Sequence, residues 1–230
     1  MNLRLFPRFA TSIVASLLGL AISAQAGPPL ICHPIEIGEA KSLPWISHSW
    51  HLTGNEKYDP RNLTRDTLSI LDSSAPVLVR METLRRATLY ARQDPQGAME
   101  LLTRLYGRAT DSETAGHPDA LAWFDVGYFA ETYKQWMDKG RPNAAAGLDG
   151  YRWVKKAISL RGSDPEMNFA AALITLKGPQ GDHREHARKA KAGAKSDPLL
   201  AQNLAAHFMG NQTQTISEML AEKSGGGFKP

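Results

Sequence analysis

Residues 118–137 read PDALAWFDVGYFAETYKQWM, and this stretch decides the fold. At 100° per residue, Leu121, Phe124, Tyr128 and Trp136 fall near one side of a helical wheel, and Ala122, Val126, Phe129, Tyr133 and Met137 widen that side. Glu131, Lys134, Gln135 and Asp138 leave only a narrow polar stripe opposite. A helix with so little polar surface belongs at the centre of a molecule, because nearly every face must be covered by something apolar. Gly140, Pro142 and Asn143 close it.

Outward from this helix the chain keeps a helical rhythm. The spacing predicts helices over 63–72, 76–92 and 95–107, then a polar loop over 108–116. Beyond the central helix it predicts further helices over 145–161, 165–176, 183–195 and 198–210, and a weak one over 214–222. Ser224-Gly225-Gly226-Gly227 lies in a tail, 223–230, of flexible linker composition. Alternating β-branched runs are missing after the first 26 residues, so the expected fold class is all-α.

Three of these helices open on the same dipeptide. Asp94-Pro95, Asp164-Pro165 and Asp197-Pro198 each place a capping carboxylate before a proline, whose missing N–H costs nothing in a first turn. The last two lie 33 residues apart, and the first lies 70 residues, or two such units, upstream. Small or apolar residues precede each proline: Ala87, Leu89, Tyr90 and Ala91; Tyr151, Val154, Ala157 and Ile158; Ala187, Ala190 and Ala194. On these residues, 63–210 resembles a divergent tetratricopeptide-like repeat, whose period is about 34 residues with two helices per unit. The Trp-x-x-Leu-Gly-x-x-Tyr portion of that repeat's first helix is not recognisable here, and the unit over 117–165 is stretched. The resemblance implies antiparallel helix pairs stacked as a solenoid, the alternative being an irregular helical bundle. It also implies a groove that takes a protein or peptide partner.

The beginning of the chain sets a compartment. Arg4 and Arg8 precede a short apolar run over 9–22, and Ala24-Gln25-Ala26 supplies the small residues that a signal peptidase reads. The run falls short of the roughly 20 apolar residues of a membrane anchor. Residues 1–26 are therefore expected to be a cleaved signal peptide, with the remainder periplasmic or extracellular and no transmembrane segment. Residues 27–62 form a second zone, where Pro28, Pro29, Pro34, Pro44 and Pro60 exclude long helices. An extended arm packing Trp45 and Trp50 on the helical body, 63–222, is the expectation.

That arm holds the sharpest chemical feature. Cys32, His33, His48 and His51 lie within 20 positions, and thiolate and imidazole suit zinc, copper and related ions. A transition-metal site there is the alternative to a small buried cysteine among ordinary histidines, in which case no cofactor is expected. Cys32 is the sole cysteine, so no internal disulfide forms.

The charge is nearly balanced. The chain has 27 Lys+Arg against 23 Asp+Glu, a formal +4. Arg4 and Arg8 account for two of these, since no acidic residue precedes Glu36. Arg184, Arg188, Lys191 and Lys195 fall within about 60° on one helix and could meet an acidic partner or an anionic surface. No aromatics interleave with them, so nucleic acid is not expected. His183 and His186, at i and i+3 on the same helix, read as solvent-exposed histidines. Nucleophile elbows, phosphate loops, dinucleotide fingerprints and zinc-protease helices are all missing. The sequence thus points to a non-catalytic exported helical-repeat protein that binds a protein or peptide.

Overall fold

A computed structural model describes residues 28–46, 52–136, 143–178 and 180–208. Among these the protein is all helical: α1 Leu63–Ile70, α2 Val77–Ala91, α3 Pro95–Thr114, α4 Ala120–Lys134, α5 Gly150–Arg161, α6 Pro165–Ile174, α7 Gln180–Gly193 and α8 Pro198–Phe208, with a 3-10 turn at Pro60–Asn62 before α1. No strand forms among the described residues, and Trp45 and Gly54 share one isolated bridge. The expected leader over 1–26, Trp50, His48, His51, the helix expected over 214–222 and the tail over 223–230 lie outside the described residues.

The aspartates do what their position before proline dictates. Asp94 accepts from Gln96 N (3.1 Å), Asp164 from Glu166 N (2.9 Å) and Asp197 from Leu200 N (3.0 Å). Asp119 and Asp149 cap α4 and α5 in the same way. Each satisfies an amide that the first turn leaves unpaired.

The expected polar loop over 108–116 is mostly helix, because α3 runs to Thr114. Ala109 keeps the apolar face buried one turn past Leu105. The hydroxyls of Thr110, Ser112 and Thr114 bond back to the carbonyls of Tyr106, Ala109 and Thr110, so the polar residues need no loop to be satisfied. Gly116, at φ +77°, takes the left-handed conformation that ends the run.

The helices pack as pairs. α4 lies chiefly on α5, and α6 on α7, while α4 also covers α2 and α3. The α4–α5 crossing depends on two glycines: a Cβ on Gly127 would lie 2.6 Å from the carbonyl oxygen of Gly150, and one on Gly150 would lie 2.5 Å from that of Gly127. The two helices run past each other in opposite directions. Glu131 accepts from Tyr151 N at the start of α5, and Lys156, further along α5, sits over Trp123 near the start of α4.

α2 is buried along its whole length apart from Arg86, although its sequence is rich in charge. Glu82 has no exposed side-chain surface and takes Arg85 (2.7 Å) and Arg86 (2.7 Å). Arg80 pairs with the equally buried Asp125 of α4 at 2.6 Å.

The same charges bind the first described segment to the body. Ile35 N donates to Glu82 (2.9 Å), Arg85 donates to Ile31 O (3.1 Å), and Arg86 donates to Leu43 O (2.8 Å). Asn203 of α8 takes both main-chain groups of Glu36. Leu30, Ile31, Ile35, Ile37 and Leu43 are buried beneath these contacts, and Trp45 lies under the Arg85 and Arg86 guanidiniums.

Two substitutions test this packing. Gly127→Ala forces α4 and α5 apart and should cost about 1–3 kcal/mol in urea unfolding, the usual range for overpacking. Glu82→Gln leaves the buried Arg85 and the partly exposed Arg86 short of a counter-charge and should cost about 3–5 kcal/mol, as for other broken buried pairs; an unchanged unfolding midpoint in either variant would refute the corresponding contact.

Candidate functional site

α3 and α5 both lie on α4, and the space between them is a cleft of about 290 Å³ lined by Leu102, Thr103, Tyr106, Leu148 and Trp153. No charged side chain lines it. Three rings make its aromatic cluster: Tyr106 and Trp153 are 5.4 Å apart by centroid, and both contact Trp123 of α4, at 6.1 and 6.3 Å. Trp123 is buried, whereas Tyr106 is 44% exposed and Met99, one turn before Thr103, is 50% exposed. At the border, Lys156 lies 3.9 Å over the Trp123 ring and pairs with Glu113 at 2.6 Å, which ties α5 to α3. A broader polar trough borders the other side of α3, lined by Arg65, Glu100, Arg104, Arg108 and Asp111 among others, and it shares Thr103 with the cleft.

A second polar constellation joins three helices. The Tyr151 hydroxyl of α5 lies 2.9 Å from His186 Nε2 and 3.1 Å from Asp182 Oδ2, both on α7. His186 Nδ1 lies 2.9 Å from Asn168 Oδ1 on α6. Asn168 spends its amide N–H on Asp164 O, so its oxygen faces the histidine. On that assignment His186 Nδ1 carries a proton and donates to Asn168, while the Tyr151 hydroxyl donates its own proton to Asp182 and sets its oxygen against Nε2. These groups resemble an acid–base relay, but burial holds Tyr151 firmly in its neutral form and pushes the His186 pKa down. The arrangement pins α5, α6 and α7 together. It also corrects the expectation that both histidines face solvent: His186 is buried, and His183 reaches Ala172 O at 2.9 Å. Ala187, Ala190 and Ala194 leave room on that side for the imidazoles to turn inward.

The predicted metal residues are only partly placed. Cys32 is half-buried, and burial raises its thiol pKa against the pull of Arg85 and Lys177. The His33 ring meets that of His207 edge-on at 5.6 Å. His48 and His51 lie outside the described residues, and among the described residues no group of three or more His, Cys, Asp or Glu side chains could hold a metal. The basic residues expected to share one helix are all exposed, Arg184, Arg188 and Lys191 on α7 and Lys195 in the turn after it.

The cleft residues were missed in the sequence because Tyr106 and Trp153 sit at the edges of apolar stripes. Only the size of the rings, larger than a stripe edge can bury, hinted at them. Compared with protein families, with curated proteins and with solved structures, the chain matches none.

Two titrating groups give opposite pH dependences. Glu166, whose carboxylate accepts from Leu78 N at the start of α2, is pushed up to about 7 by burial and by Asp164 and Asp197. Its raised pKa adds stability below the unfolded value of about 4.3, which is lost as pH rises through about 7. The lowered pKa of His186 does the reverse: its contribution is present above about 6.5 and is lost as the solution is acidified through the folded value. In unfolding measurements across pH, Glu166→Gln should flatten the slope between pH 4.5 and 7, while His186→Gln should flatten the acid limb below pH 6.5.

Proposed function

We propose that this is an exported, non-catalytic helical-repeat protein that binds a protein or peptide partner in the cleft between α3 and α5. The aromatic cluster of exposed Tyr106 and half-buried Trp153 over Trp123 carries the reading. Tyrosine and tryptophan are the side chains that most often dominate binding energy in protein interfaces, because each offers a large rigid area at small entropic cost. At about 290 Å³ the cleft has room for one or two aliphatic or aromatic anchor side chains of a polypeptide.

The packed helix pairs and the Asp-Pro spacing support a divergent tetratricopeptide-like stacking of 63–210, whose grooves commonly take such an anchor. The Arg4/Arg8 and Ala24-Gln25-Ala26 pattern supports export to the periplasm or beyond. None of the described helices is long and apolar enough to cross a membrane. The metal reading of Cys32, His33, His48 and His51 gains no observation in its favour.

A photoreactive amino acid at position 99 should crosslink a discrete partner in the exported fraction, and Tyr106→Ala with Trp153→Ala should lower the yield at least tenfold while the fold persists by circular dichroism. Crosslinking that survives the double substitution would refute the cleft as the binding site.

A further inference from the structure

The excess positive charge of this protein is concentrated on one outer helix. The stretch 180–195 holds Arg184, Arg188, Lys189, Lys191 and Lys195 against Asp182 and Glu185. Set beside the chain's formal +4, two charges of which belong to Arg4 and Arg8, this stretch accounts for the whole remaining excess and leaves the rest of the body slightly acidic. The packing explains the segregation. α7 and the turn after it press His186, Ala190 and Ala194 onto the body, so Arg184, Arg188 and Lys191 lie on the exposed side and Lys189 at its partly buried edge. Arg184, Arg188 and Lys191 are exposed along one side of α7, and Lys195 is exposed in the turn that follows it. At 1.5 Å per residue the helical part of that row, Arg184 to Lys191, is about 10 Å long. Arg188 shares Glu185 with Lys189, whereas Arg184 and Lys195 form no ion pair among the described residues.

We infer that this face of α7 is a docking surface for an anionic lipid bilayer. Charge complementarity carries the inference: a straight row of cations on an otherwise near-neutral body orients the whole molecule toward a negative plane, and polybasic segments gain attraction with each Lys or Arg near such a surface. The face offers nothing to a protein partner's pocket. The exposed large apolar residues of the described structure, Ile46, Met99, Tyr106 and Leu160, all lie elsewhere, and protein interfaces rely on buried anchors of that kind. A diffuse headgroup layer needs no anchor. Docking through α7 is independent of the α3–α5 cleft.

The test is vesicle flotation of the purified full chain, with phosphatidylcholine vesicles compared with vesicles containing phosphatidylglycerol. The expected result is binding to the anionic vesicles alone, lost at about 1 M salt, where the screening length falls to ~3 Å. Arg184→Glu with Lys195→Glu should weaken binding at least tenfold. Lys57→Glu with Arg104→Glu, which changes net charge equally at exposed sites elsewhere, should leave it nearly unchanged. Failure to bind anionic vesicles would overturn the proposal, and so would an equal loss in both double variants. Capture of polyglutamate through Arg184 and Lys195 without vesicle binding would also overturn it, in favour of an acidic protein.

Discussion

A single carboxylate with no access to water, that of Glu82, holds together parts of the chain that otherwise have no reason to meet. It takes two guanidiniums from its own helix and the amide of Ile35 from a segment without regular secondary structure. A buried charge is costly unless paired and hydrogen-bonded on every side, and here the pairing draws main-chain groups of residues 31, 35 and 43 into the arrangement. The helical body and the proline-rich segment are therefore closed against each other by electrostatics as much as by the five aliphatic residues buried between them.

The rest follows from α2 being covered. With the 28–46 segment and α4 on it, α2 can be buried on nearly every side, and α4 in turn becomes the floor on which α3 and α5 rest. The glycine pair at positions 127 and 150 brings α5 close to α4, and the bulk of Tyr106, Trp123 and Trp153 keeps α3 and α5 from closing over the gap. The cleft is thus a result of unequal packing: close approach at one end of a helix crossing and large rings at the other.

Much of this was legible in the sequence, and the failures have physical causes. The Asp-Pro starts and the apolar wheel of 118–137 were read correctly because capping and amphipathicity are local properties. The loop expected over 108–116 was not there, since threonine and serine hydroxyls can satisfy themselves on a helix as well as in a turn. The burial of Arg80, Glu82 and Arg85 has no sign in the sequence, since nothing local shows that Asp125 or Ile35 would arrive to pair with them. His186 turned inward for the same reason: Asn168 and Tyr151 come from other helices. Contacts across the fold decided the burial of charge, and one-dimensional periodicity carries no record of them.

The account stands on the claim that the 28–46 segment and α2 form one cooperative unit. Hydrogen exchange of the free protein, resolved at single amides, tests it most directly. The account predicts that Ile35 N–H exchanges as slowly as the mid-helix amides of α2 and α4, through global unfolding alone. Fast exchange at Ile35, with α2 still protected, would contradict it.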